Sequence, residues 1–157
     1  MKTAISWTFN SWKTTLANTY KSHNIILETE REVIRSLSID LNNCDYNTFV
    51  AFSKILFNKQ KILEEQYDSF VTDTPRFLMW IYLSTLYPSN SCEHWDRLIW
   101  QSLDTFKHYD KIIHLNPKPI VEDWERHKDG QLQQEINDKL LHYYAKNQVN
   151  VEFLDDN

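Results

Sequence analysis

Spaced by its apolar residues, the chain alternates short buried runs with longer amphipathic segments. Lys2 to Ser6 is a brief apolar run of the kind found in strands buried on both faces. Lys13 to Lys21 follows as a first helix, and Asn24-Ile-Ile-Leu27 as a second short strand. Glu30 to Leu37 is helical, with Val33, Ile34 and Leu37 on one side, and Asn42-Asn43-Cys44-Asp45 reads as a turn and cap. Tyr46 to Gln66 then carries Phe49, Phe52, Leu56 and Leu63 at helical spacing, which predicts a long amphipathic helix with an aromatic core stripe. Ser69 to Asp73 is the next strand, broken by Thr74-Pro75, and Phe77 to Leu86 an apolar helix. Beyond a loop at Pro88-Ser-Asn-Ser91, Asp96 to His108 is helical and Lys111 to Leu115 a further strand, stopped by Asn116-Pro-Lys-Pro119. Residues 119–130 have no clear period and are rich in charge, as a mobile, lid-like loop would be. Gln131 to Lys146 is a last helix, striped by Leu132, Ile136, Leu140 and Tyr143 or Tyr144, and Val149 to Leu154 a last strand. Strands alternating with helices predict an α/β domain: a parallel sheet of about five strands with helices on both faces.

The junction of the first strand and first helix holds the candidate chemistry. Trp7-Thr-Phe-Asn-Ser-Trp-Lys-Thr14 fits the phosphate-binding pattern G-x-x-x-x-G-K-[ST] everywhere except at its two glycines, which read Trp7 and Trp12. In such a loop, backbone N–H groups cradle phosphates, Lys13 reaches the β/γ-phosphates and the Thr14 hydroxyl ligates Mg²⁺. Glycine permits positive φ and close approach of the backbone. Steric exclusion by the Trp12 indole is the larger penalty, because a left-handed residue costs only about 1–2 kcal/mol. The alternative for this stretch is an ordinary strand-turn-helix with Ser11 as N-cap.

Composition sharpens the problem. A chain of 157 residues holds roughly eleven glycines at about 7% usage; this one has a single glycine, Gly130, and six tryptophans. Two explanations stand side by side. Either the chain is rich in tryptophan with an altered loop, or its source reads as glycine the codon written here as tryptophan. Otherwise the composition is that of one globular domain spanning 1–157, with 41% hydrophobic and 14% aromatic residues. A net charge of −5 gives no support to a broad nucleic-acid surface. No apolar run approaches about 18 residues, and the N-terminus lacks a signal-peptide core, so a soluble cytoplasmic protein without membrane partners is expected. Cys44 and Cys92 read as ordinary thiols of a reduced compartment, and the scattered histidines as surface or packing residues.

The motifs taken in order extend the resemblance beyond one loop. They are the loop at 7–14, Glu28-x-x-Arg31, Gln60 with Glu64, Thr72-Asp73-Thr74, Tyr109-Asp110 and Asp123-x-x-Arg126. Over nearly its whole length the chain resembles the P-loop kinase-like domains of the NadR type, grouped with nicotinamide riboside kinase and related AAA-labelled proteins. The nucleotidyltransferase half of bifunctional NadR proteins has no counterpart here. The resemblance implies a Rossmann-like, three-layer P-loop NTPase fold. It implies ATP or another NTP held by Trp7, Thr8, Phe9, Asn10, Ser11, Trp12, Lys13, Thr14 and Thr15, with Mg²⁺ held by Thr14 and Asp73. Asp73 would bind the metal through water or act as base towards the acceptor hydroxyl; alternatively it caps a helix before Pro75. Glu28 would bond a ribose-like hydroxyl and Arg31 a charged group of the acceptor, or the two form a surface pair at a helix start. Arg126 would be the lid arginine, neutralising charge on the transferring phosphoryl group, or a solvated loop residue. The family carries glycine ahead of this arginine, where Trp124 stands here.

The expected function is therefore a small Mg²⁺-dependent phosphotransferase acting on a nucleoside-like or nucleotide-like acceptor, with Lys13, Asp73 and Arg126 as its catalytic set. A regulatory nucleotide-binding ATPase or switch is the second reading, although Asn116-Pro-Lys-Pro119 does not supply the aspartate of a guanine-reading N-K-x-D motif. A degenerate scaffold acting through partners is the third, favoured by Trp7 and Trp12.

Overall fold

The structure, a computed structural model, describes residues 1–6, 12–20, 23–87, 104–116 and 130–155. In chain order the elements are β1 (Lys2–Ser6), α1 (Trp12–Ala17), β2 (Asn24–Ile26), α2 (Thr29–Leu37), α3 (Tyr46–Glu65), β3 (Phe70–Thr72), α4 (Phe77–Leu86), β4 (Lys111–Leu115), α5 (Gly130–Lys146) and β5 (Val151–Leu154). A further helical turn lies at 104–106. Gly130, the last residue of the expected lid-like loop, is the first residue of α5, and the rest of that loop lies outside the described residues.

The strands form one sheet in the order β2-β3-β1-β4-β5, and every pairing is parallel. Thr3 pairs with Val71 on one side and with Lys111 on the other, so β1 is central. Alternating side chains leave each strand on opposite faces. Ala4, Phe70 and Ile112 join Phe77 of α4 and Ile136 and Leu140 of α5 in one core cluster. Ile5, Val71 and Ile113 join Ala17 of α1 in another. Helices thus cover both faces, as the continuous apolar runs of the strands require. A third cluster, with Val33, Ile34, Phe52, Leu56 and Leu83, packs α2, α3 and α4 against one another.

Local signals explain the element ends. The Asp45 carboxylate accepts the Thr48 N–H at 2.7 Å and caps α3. Ser38 takes a left-handed conformation (φ 53°) at the end of α2, where its N–H reaches the last carbonyls. The long helix departs from the expected stripe in one respect. Gln60 and Glu64, not Leu63, continue the fully buried face of Phe49, Phe52 and Leu56. No helix among the described residues is long and apolar enough to cross a membrane.

Leu140 has no exposed surface in the core beneath α5. Leu140→Ala is expected to lose about 2–5 kcal/mol of stability, read as a lower midpoint in urea unfolding with an unchanged slope.

Candidate functional site

Parallel α/β sheets place ligands outside the carboxyl ends of their strands, near the point where strand order departs in opposite directions. Here that edge is formed by the ends of β1, β2 and β3. β1 ends at Ser6, and α1 begins at Trp12 with Lys13 as its second residue and Thr15 exposed on it. Residues 7–11 lie outside the described residues, as do the side chains of Trp12 and Thr14. Arg126, expected as a lid arginine, also lies outside them.

Three of the expected site residues are brought together next to this edge. Asp73 follows β3 directly, and its side chain is buried (5% exposed). Its Oδ1 accepts the backbone N–H of Glu28 at 3.1 Å and the Thr74 hydroxyl at 3.0 Å. The Asp73 N–H in turn donates to the Ile26 carbonyl at 3.4 Å, so the exits of β2 and β3 are stitched together. Glu28 holds a left-handed conformation (φ 58°, ψ 19°) just before α2. A non-glycine residue adopts this only when its surroundings hold it there, at a cost of about 1–3 kcal/mol. Arg31 Nη1 lies 3.5 Å from Glu28 Oε1, one helical turn on, and both side chains keep contact with solvent. The surface pair and an acceptor-facing position are therefore compatible.

Beneath the Asp73 turn lies a polar cluster that the apolar pattern hides. The Glu64 side chain has no exposed surface and gathers donors from three segments. Oε1 accepts from Gln60 Nε2 at 2.9 Å and from the Tyr109 hydroxyl at 2.7 Å. Oε2 accepts from Arg76 Nε at 2.8 Å. His108 Nε2 lies 3.2 Å from Oε2, within ion-pair range but without hydrogen-bond alignment. Burial alone pushes the Glu64 carboxyl up. His108, Arg76, Gln60 and Tyr109 together outweigh that effect and hold it below the ordinary value of 4.5. Burial, reinforced by the Glu64 charge, pushes the Tyr109 phenol far up, so it stays a donor. Gln60 and Glu64 were legible as motif positions, but Arg76 and His108 were not. The available signal was the polar pair at 60 and 64 standing where the helical period calls for apolar residues.

A second buried chain crosses the sheet beneath α5. The Tyr144 hydroxyl donates to Ser6 Oγ at 2.7 Å and lies 3.3 Å from His114 Nδ1, while His114 Nε2 lies 2.9 Å from Asn137 Oδ1. Burial lowers the His114 pKa, which favours the neutral ring, as the packing role expected of the histidines requires. Cys44, partly buried, has its thiol pushed up by that burial, as suits an unreactive thiol.

No protein-family model matches the chain, and no curated protein sequence matches it. Solved structures do share its fold. The NadR protein in complex with NAD and AMP-PNP superposes with a TM-score of 0.70 at 19% identity, over 98% of this chain and 44% of the other. The NadR protein in complex with NR gives 0.66 at 17% identity, over 98% and 43%. Deoxyadenosine kinase from M. mycoides with bound dATP gives 0.60 at 14% identity, over 99% and 91%. The chain thus shares its α/β fold, a five-stranded parallel sheet with helices on both faces, with the NadR and deoxyadenosine kinase structures. The chain spans less than half the length of the NadR chains it matches.

Two outcomes follow for the Glu64 cluster. Arg76→Ala leaves a buried carboxylate without its cation and is expected to cost about 3–5 kcal/mol in chemical denaturation. The lowered Glu64 pKa contributes stability that is full above the unfolded value near 4.5 and is lost as pH falls through the lower folded value. Glu64→Gln should therefore remove this part of the acid dependence, read as a flatter fall in melting temperature between pH 5 and 3 (approximate bounds set by that window).

Proposed function

We propose that this chain binds ATP or another NTP with Mg²⁺ and transfers a phosphoryl group to a small nucleoside-like acceptor. The observation that carries the proposal is the buried, doubly hydrogen-bonded Asp73 beside Glu28 and Arg31, at the sheet edge where β1 leads towards Lys13. The likeness to solved kinases and NadR proteins, whose complexes contain AMP-PNP, NR or dATP, supports the same reading.

The donor set fits the expected ligands. Lys13 supplies a cation on the first turn after the loop, and Asp73 supplies a hard oxygen donor suited to Mg²⁺, with Thr14 as its partner. Bound Mg²⁺ supplies charge neutralisation on the phosphates. Lys13 would bind the β/γ-phosphates, with residues 7–15 as the nucleotide-binding stretch. Asp73, oriented by Glu28 N–H and Thr74, would hold the metal or take the acceptor proton. Glu28 and Arg31, both in contact with solvent, orient the acceptor through a hydroxyl and a charged group. Arg126 would neutralise charge on the transferring group, and catalysis would be positioning and charge neutralisation throughout.

Trp7 and Trp12 favour a second reading, a scaffold that binds no nucleotide. Intact mass and peptide sequencing of the protein from its native source decide whether glycine or tryptophan stands at both positions. On the kinase reading, ATP with Mg²⁺ at 100 times its Kd stabilises the fold by about 2.7 kcal/mol in thermal unfolding, and Lys13→Ala abolishes the shift. A scaffold shows no shift at all, whereas a switch shifts without phosphorylating any acceptor. Asp73→Asn is expected to lower kcat about 10²–10⁴-fold in a coupled ADP-release assay, with far-UV circular dichroism unchanged.

A further inference from the structure

We propose that Glu64 is a positioning residue for Asp73, acting through a clamp on the five-residue turn Thr72–Arg76; the inference rests on the phosphotransfer reading of the Asp73 site. The turn is pinned at both ends by side chains that meet at one carboxylate. At its start, Thr72 Oγ1 accepts from Gln60 Nε2 at 2.8 Å and from the Thr74 N–H at 3.2 Å. At its end, the Arg76 N–H donates to the Tyr109 hydroxyl at 3.0 Å while Arg76 Nε donates to Glu64 Oε2. Gln60 and Tyr109 both donate to Glu64 Oε1, so Glu64 closes the circuit from either end. Asp73 sits between the two anchors, with its Oδ1 on the Glu28 N–H.

Stability alone gives little reason for this arrangement. A buried ionic group is often replaced by well-packed apolar residues without loss, because desolvation offsets the Coulombic gain. What the apolar alternative lacks is direction. Hydrogen bonds fix the turn's angle and distance, where dispersion contacts would let it slide. A catalytic carboxylate displaced by about 1 Å can cost on the order of 100-fold in rate. Pro75 removes one N–H from the turn, which leaves the side-chain anchors with more of the task.

The test compares Tyr109→Phe and Glu64→Gln with Leu83→Ala, a core change between α3 and α4 that touches none of the clamp's hydrogen bonds. Each is read by steady-state kinetics and by two-dimensional ¹H–¹⁵N NMR of the Glu28 and Thr74 amides. These amides report the Asp73 Oδ1 bond and the Thr72 Oγ1 bond directly. The expected result is a kcat lowered roughly 10- to 100-fold with an unchanged KM for ATP, together with displaced Glu28 and Thr74 resonances, in Tyr109→Phe and in Glu64→Gln. Leu83→Ala should lose stability yet keep kcat and both resonances. If the two clamp variants keep kcat and both amide positions, Glu64 is merely structural and the proposal is overturned. Should the wild-type protein transfer no phosphoryl group, the phosphotransfer reading fails separately. The amides then decide the clamp alone: displacement supports it and unmoved resonances refute it. Tyr109→Phe carries the test if Glu64→Gln does not fold.

Discussion

Parallel pairing on both sides of β1 is the constraint from which the rest of this structure follows. Thr3, Ala4, Ile5 and Ser6 are all fully buried, and strands lie on either side in the same direction. Two parallel neighbours cannot be joined by a hairpin, so each connection must cross over the sheet and carry a helix with it. All strand ends of one polarity then fall along one edge. The exits of β2 and β3 meet there, and Asp73 and Glu28 meet as a result. The site is a by-product of strand direction before it is a matter of side chains.

The alternation of strands and helices was legible because each strand is a short apolar run and each helix has a clear period. Phe77–Leu86 and the start of the long helix at Tyr46 lie where the pattern puts them. Strand ends were less legible: β3 stops at Thr72, because Asp73 has already turned its carboxylate towards Glu28. Val149 and Asn150 precede β5, which pairs from Val151 onward. The pairing of Glu28 with Arg31 could be read from an i,i+3 spacing. Its left-handed backbone could not, since glutamate carries no preference for that region. Arg76 and His108 escaped notice for a different reason. A buried arginine declares itself only through its counter-charge, and that counter-charge lies twelve residues away on another helix.

Two buried polar chains on one side of the sheet show how differently a core can tolerate polar atoms. The Ser6–Tyr144–His114–Asn137 chain is neutral, and burial acts on it by favouring uncharged forms. The Glu64 cluster is charged, and its carboxylate stays ionised because several donors converge on it. Uncharged groups need only one partner each to be tolerated, whereas a carboxylate in the core needs its oxygens surrounded. Both sets join three segments of the chain, but only the charged one draws its three segments onto a single group.

The reach of Glu64 also bears on the order in which the chain can fold. Its partners stand 4 residues back on α3 itself, and 12 and 45 residues further along, at the start of α4 and just before β4. Until the segment at 104–110 has docked, the carboxylate lacks the Tyr109 hydroxyl and keeps its water. Desolvation can therefore finish only after the most distant of these contacts has closed, the kind of long-range step that slows folding. A chain that brought β4 to the sheet in the wrong register would trap an ion without its donors and would reopen. The cluster thereby discriminates against near-native misassembly, a kinetic filter placed inside the core.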